Sequence, residues 1–242
     1  MDYMKPFIPS DIIDQLKKIK NCQAILLMGS RAQGKENKNS DWDFYIILKD
    51  GSKSWRKAWK YKNTWIEIFC VDSKTMKNDF AKDLIEGRGL ITSMLATGFI
   101  VLDSPRKTLF NLTQIAKKNW NKGPNKLTQS ELNWINFDIS TYLQNIEDCI
   151  SKNNPAHTVF NQAYNDFIRY YYRLNNAWIP RPKKCLYDLK VNHKKMYQYI
   201  EAINKQNNWQ KKAHLLIKLG QYIGKKHKLS LNGELPIMRE KP

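Results

Sequence analysis

Two carboxylates one residue apart, Asp41 and Asp43, stand in the aromatic and aliphatic run "DWDFYIIL" at 41–48. A third, Glu67, interrupts another apolar run, "TWIEIFCV" at 64–71. Side chains alternate faces along a strand, so Asp41 and Asp43 point one way while Trp42 and Phe44 point the other. Like charges at that spacing repel, and a divalent cation removes the repulsion. Mg²⁺ prefers hard oxygen ligands and takes carboxylates together with substrate phosphates. If the two runs are neighbouring strands, Glu67 completes a three-carboxylate cluster able to hold two ions for an in-line displacement at phosphorus.

Upstream, the apolar run "CQAILLM" at 22–28 ends in Gly29-Ser30, and the chain can turn into a helix near Ser30-Arg31. A small residue at Gly29 lets backbone approach a triphosphate. The Ser30 hydroxyl, N–H groups and a helix N-terminus can then meet phosphate oxygens. Gly34 suits a further tight turn. Arg31 is either a phosphate ligand or a solvated helix residue.

The elements that must position these residues follow from periodicity. "DIIDQLKKIK" at 11–20 places Ile12, Ile13, Leu16 and Ile19 on one helical face. The runs 22–28, 41–48 and 64–71 are expected to be strands, with Trp65, Glu67, Phe69 and Val71 on one side of the last. Residues 49–63, "KDGSKSWRKAWKYKN", form a turn-rich basic connection. Residues 73–98 predict helical segments broken at Gly87 and Gly89, and "FIVLDSP" predicts a closing strand. After Pro105 only helical patterns follow: one with Leu132, Ile135, Ile139, Tyr142, Ile146 and Cys149, capped by Ser130, one from Pro155 to Asn176, and one near 208–225. "WIPRPKK" at 178–184 interrupts them. The expected fold is α+β: a mixed sheet with flanking helices over residues 1–105, then an all-α bundle of antiparallel helices over 106–242. "GELPIMREKP" at the end predicts a loose tail.

The chain of 242 residues can bury a real core. Its charge is uneven: Lys and Arg exceed Asp and Glu by 17 to 13 in residues 1–105 and by 24 to 9 in 106–242. That second excess suits an anionic partner, or reflects a chain rich in Lys, Asn and Ile throughout. No apolar run has the length of a membrane span and the N-terminus has no signal-like core, so no membrane association is expected. Cys22, Cys70, Cys149 and Cys185 lack zinc-site spacing, and scattered cysteines predict reduced thiols and a cytoplasmic location. The four histidines, His157, His193, His214 and His227, have no ligand spacing among them.

"MGS", a spacer of ten residues "RAQGKENKNS", then "DWDF" resembles the signature of the polymerase-β-type nucleotidyltransferase superfamily. The wording is most similar to its bacterial small-substrate branch, which includes the kanamycin and streptomycin adenylyltransferases. The resemblance covers roughly residues 10–105; the second half is similar to that branch only in being helical. It implies that Gly29 and Ser30 hold nucleotide phosphates, that Asp41 and Asp43 bind metal, and that Glu67 is a third ligand. It implies attack of an acceptor hydroxyl on the α-phosphorus of ATP or another nucleoside triphosphate, assisted by two Mg²⁺ ions, with release of pyrophosphate. A carboxylate of the helical half would be the base. By loose similarity of "YNDFIRYYYRLNN" Asp166 is the candidate, the alternative being an Asp166–Arg169 surface pair; Glu131 and Asp138 come next. Lys183, with Arg181 and Lys184 beside Trp178, reaches the triphosphate or is simply a charged loop.

The implied acceptor is a small hydroxylated, antibiotic-like molecule, although a basic second half repels polycationic aminoglycosides. RNA or a protein side chain, as in antitoxin-type relatives, is the alternative acceptor, and a non-catalytic nucleotide-binding regulator the non-enzymatic one. An Arg-x₄₋₆-His motif of a fused toxin is not found.

Overall fold

The computed structural model describes residues 6–233, so all of the expected tail at 233–242 beyond Gly233 lies outside the described residues. The chain divides into two compact units, with the division after Pro124.

The first unit is built on a mixed five-stranded sheet ordered β3-β4-β2-β1-β5, from β1 (Cys22–Met28), β2 (Trp42–Leu48), β3 (Trp55–Tyr61), β4 (Thr64–Asp72) and β5 (Phe99–Leu102). β2 and β4 run parallel, and the other neighbours are antiparallel. β1 and β2 are apolar almost without interruption because both faces of the sheet centre are covered. On one face Ile25, Leu27, Phe44, Ile46, Ile66 and Ile68 pack with Ile12 and Leu16 of α1 (Ser10–Lys17). On the other, Leu26, Met28, Tyr45, Ile47 and Val71 pack beneath α3 (Ser73–Glu86), α4 (Leu90–Thr97) and α5 (Thr108–Lys122) through Met76, Phe80, Leu95, Leu109 and Leu112. Fully burying one such aliphatic side chain contributes about 1.5–3 kcal/mol.

Two features of this unit differ from the sequence expectation. Residues 55–61, expected as a basic connection, form β3. It is an edge strand, exposed on nearly every residue, with Arg56, Lys57 and Lys60 along it. It lacks the apolar alternation that announces a half-buried strand, and lysines on an edge discourage pairing with another chain. Beyond the pattern change at Pro105, α5 packs beneath the sheet. Asp103, just after β5, accepts the Leu109 and Phe110 N–H groups (3.0 and 2.9 Å) and holds α5 in place. The helix therefore belongs with the sheet.

The helical breaks at Gly87 and Gly89 separate α3 from α4 as expected. Asp83, only 4% exposed, closes that corner by accepting from Leu90 N–H (3.0 Å), Thr92 N–H (2.8 Å) and Thr92 Oγ1 (2.7 Å).

The second unit comprises α6 (Gln129–Ser151), α7 (His157–Leu174), α8 (Pro182–Asn192), α9 (Lys194–Lys205) and α10 (Trp209–His227). Its core joins Ile135, Ile139 and Ile146 of α6, Phe160, Ala163 and Phe167 of α7, Met196, Ile200 and Ile203 of α9, and Ala213, Leu216 and Leu219 of α10. The cap of α6 is Thr128 rather than Ser130. Its side chain accepts the Glu131 N–H while the Glu131 carboxylate reaches back, a capping box. α8 and α9 lay unnoticed in the sequence because "WIPRPKK" reads as a breaker, whereas Pro182 occupies the first turn of α8, where its missing N–H costs nothing.

Replacing Asp83 by Ala strands three donors at the α3–α4 corner. The expected cost is about 2–3 kcal/mol of stability for a carboxylate with several bonds, read as a lowered midpoint in thermal unfolding followed by circular dichroism.

Candidate functional site

The parallel pairing of β2 with β4 places Asp43 directly beside Glu67. In-register neighbours leave a sheet on the same face, here the face that carries Tyr45, Ile47 and Phe69. Both acids sit near the start of their strands, past the end of the apolar layer. Met28, the last residue of β1, pairs with Asp43 from the other side. The sequence thus brings together the end of β1, Asp43 and Glu67, as the strand reading required.

Gly29 opens α2 (Gly29–Ala32) with φ +76°. A Cβ built there would lie 2.6 Å from Asp43 Oδ2. The glycine is therefore required twice, by a left-handed backbone and by the carboxylate packed against it. Ser30 is half-buried, and its carbonyl accepts the Gln33 and Lys35 N–H groups (3.1 and 2.9 Å), which closes the short turn. Gln33 Nε2 donates to Thr97 Oγ1 (3.2 Å), fastening α2 to the end of α4.

Arg31 reaches the segment that leads into β2. Its Nε and a terminal nitrogen donate to the Ser40 carbonyl (3.1 and 2.7 Å), Nε also lies 3.2 Å from the Asp41 carbonyl, and the guanidinium sits 4.2 Å from the Trp42 ring centroid. It clamps the entry of β2, the strand that carries Asp43. Asp41 precedes β2 and is exposed.

Glu67 is held by Arg56 of β3. Arg56 Nε donates to Glu67 Oε1 (2.6 Å), a terminal nitrogen contacts the same oxygen, and the guanidinium lies over the Phe69 ring at 4.8 Å. Sequence reasoning missed Arg56 because its strand was read as a connection. No local pattern announced it, since the cations of "WRKAWKYK" do not alternate; only the pairing of Ala58 with Glu67 places Arg56 diagonal to Glu67.

The expected three-carboxylate cluster is not closed. Among the described residues no group of three or more His, Cys, Asp or Glu side chains is gathered so that it could hold an ion. Two local causes account for this: Glu67 is drawn to Arg56 on its outer side, and Asp41 lies outside the strand. The donor set still suits a hard cation in type, being all carboxylate, with Asp43 and Glu67 adjacent and Asp43 seated where only glycine leaves room.

Asp166 lies in the second unit and is 7% exposed, not on an open face. It accepts from Tyr142 OH (2.7 Å) and Gln162 Nε2 (2.9 Å) and pairs with Arg169 (3.0 Å). Burial, with the Asp166 carboxylate as hydrogen-bond acceptor, pushes the Tyr142 hydroxyl up to about 12. The Asp166–Arg169 pair weighed from the sequence is thus present, inside a packed network. Asp138 accepts from Tyr170 OH, and Glu131 is spent on the α6 cap. Arg181, Lys183 and Lys184 are exposed around the start of α8.

Residues 10–106, which contain Gly29, Ser30, Asp41, Asp43 and Glu67, match the family model described as polymerase beta, nucleotidyltransferase. The solved structure of a nucleotidyltransferase-like protein from Exiguobacterium sibiricum 255-15 superposes with a TM-score of 0.55 at 11% identity, over 90% of this chain and 73% of that one. The likeness is one of fold: α+β, nucleotidyltransferase-like, with a mixed sheet followed by a helical region. No curated protein matches the chain.

Gly29→Ala and Gly51→Ala separate the two demands on Gly29. Both glycines have positive φ, but nothing lies within 4 Å of a Cβ at Gly51. Gly51→Ala is expected to cost about 1–2 kcal/mol of backbone strain alone. Gly29→Ala is expected to cost more and to shift Asp43, visible in denaturant melts and in a crystal structure of the variant.

Proposed function

We propose that the protein transfers a nucleotidyl group, in the first instance adenylyl from ATP, to a hydroxyl of a small acceptor and releases pyrophosphate. The observation that carries this reading is the side-by-side placement of Asp43 and Glu67, with the Asp43 carboxylate packed on Gly29 at the end of β1. It lies within a stretch that matches a nucleotidyltransferase model. The resemblance of the Gly-Ser and Asp-x-Asp segments to the antibiotic adenylyltransferases supports the small-acceptor class. The basic charge of the second half disfavours a polycationic member of that class and favours neutral or anionic hydroxylated molecules.

In the reaction the acceptor oxygen bonds to the α-phosphorus as the bond from that phosphorus to the oxygen bridging to the β-phosphate breaks. Pyrophosphate carries away the electron pair, and the hydroxyl proton passes to water. Gly29 lets the Asp43 carboxylate pack against the turn, and the Ser30 hydroxyl contributes a donor for phosphate oxygens there. Arg31 acts by fixing the entry of β2, keeping Asp41 and Asp43 in register with Glu67. Asp41, Asp43 and Glu67 would hold Mg²⁺, which when bound supplies positive charge at the α-phosphate and on the leaving oxygens. Arg56 supplies the charge that balances Glu67 otherwise, so the arginine and a divalent ion compete for one carboxylate.

A second reading has a specific observation behind it. Residues 181–228 hold 13 Lys and Arg against two acids, a charge that suits an RNA strand whose terminal hydroxyl is the acceptor.

Pyrophosphate release from ATP and Mg²⁺ over small hydroxylated acceptors and RNA tests the proposal. Asp41→Asn and Asp43→Asn are each expected to lower the rate by on the order of 10²-fold or more, with melting midpoints preserved. Unchanged release in both variants removes the proposed activity. Arg56→Ala is expected to lower the Mg²⁺ concentration for half-maximal rate by about two- to fivefold, the scale of an exposed ion pair.

A further inference from the structure

The excess of positive charge has a location. Of the 13 Lys and Arg in residues 181–228, five fall on α10, a 19-residue helix with no Asp or Glu in it. The two acids of the segment lie on other helices, Asp188 on α8 and Glu201 on α9. Asp188 accepts from Tyr172 OH (2.6 Å) and Asn192 Nδ2 (2.8 Å), and Glu201 accepts from Tyr197 OH (2.9 Å) and pairs with Lys205 (3.3 Å).

The lysines of α10 fall into two sets. Lys212 lies over the Phe160 ring (5.5 Å), and Lys226 donates to Tyr171 OH and Asn175 Oδ1 (both 3.0 Å). Lys211, Lys218 and Lys225 are exposed at a seven-residue interval, and Lys228 continues the line at the C-cap. Seven residues are close to two helical turns, so these side chains stand on one face about 10 Å apart. Between them the same face carries His214 and Gln221, both exposed. Glu147 of α6 is the one acid lining the shallow groove of about 380 Å³ beside Lys218. Of the apolar residues of the helix, Leu216, Ile217, Leu219 and Ile223 are buried in the core of the unit, Trp209, Leu215 and Tyr222 pack partly buried against it, and no large apolar side chain is exposed. A membrane surface would need an apolar face to insert, and α10 has none to offer.

We propose that the outward line Lys211–Lys218–Lys225–Lys228 of α10 is a binding surface for the phosphate backbone of single-stranded nucleic acid. A row of flexible ammonium groups with no acid in its own helix tracks a chain of phosphates without reading bases, and binding is driven by counterion release. The proposal concerns a surface of the second unit and does not rest on the transfer chemistry. It does supply the place where a strand would lie if RNA is the acceptor.

Fluorescence anisotropy of the full chain with a labelled oligouridine of about 20 nucleotides, titrated over a series of salt concentrations, tests it. The expected result is binding that weakens steeply with salt. In K211E/K218E/K225E it should be at least about tenfold weaker at low salt, and the log–log slope should fall by about 2, the share of three phosphate contacts on a single strand. K183E/K184E/K190E on α8 changes the net charge equally and should bind within about threefold of the unaltered protein. K211Q/K218Q/K225Q, a milder change, should also weaken binding and guards against misfolding of the charge reversal. D41N/D43N should bind as the unaltered protein does, so a loss of activity there and a loss of binding in the α10 variants are distinct failures. Three results would each overturn the proposal: no salt-dependent binding, equal losses in the α8 and α10 variants, or retention of the α10-variant losses only on vesicles of anionic lipid and not on RNA.

Discussion

Parallel pairing of β2 with β4 sets two carboxylates next to each other on a sheet face that is otherwise apolar. The rest of the first unit follows from accommodating that pair. Apolar residues of β1, β2 and β4 bury both faces of the sheet behind it, under α1 on one side and α3 to α5 on the other. The layers fix the register, because a slip of one residue would turn Asp43 and Glu67 into the core beside Phe44 and Ile68. Burying an unpaired carboxylate there would cost several kcal/mol. The acids therefore stay at the strand starts, where the covering helices give way to the Gly29 turn.

Around the pair, cations and backbone divide the work. Arg31 holds the carbonyls of Ser40 and Asp41 and stacks on Trp42, so it sets the position of the backbone that leads into β2. Arg56 meets Glu67 from the outer strand. One arginine builds the frame, and the other balances charge. Gly29 brings the turn after β1 against Asp43. The partner of Glu67 sits on an exposed edge strand.

The second unit treats its charges differently. Several of its acids are engaged within the unit, Asp166 by Tyr142, Gln162 and Arg169, Asp138 by Tyr170, Asp188 by Tyr172, and Glu131 by the start of α6, while Glu147 and Asp148 are exposed. Buried tyrosines whose hydroxyls each end on a carboxylate make a polar lattice within an apolar core, and such groups are stable only when fully partnered. Exposed lysines outnumber the acids at the surface of this unit, so that surface is basic.

Much of this was legible in the linear chain. The runs at 22–28, 41–48 and 64–71 announced themselves as strands, which the structure draws as 22–28, 42–48 and 64–72, and the glycines at 87 and 89 as a break, because these depend on local alternation and on a backbone only glycine adopts. The facing of Asp43 with Glu67 needed only that two strands be neighbours. What the sequence could not carry were partners chosen across space. Arg56 closes on Glu67 from a strand with no apolar alternation. Arg31 bonds to carbonyls nine and ten residues away, and Asp166 is enclosed although its helical neighbours Gln162 and Arg169 suggested an outward face. Local pattern fixes which face a side chain leaves from, since that is geometry of the chain itself. Which opposite charge or hydroxyl it meets depends on which other elements the packing brings there, and that is decided only when the sheet and the helical core close.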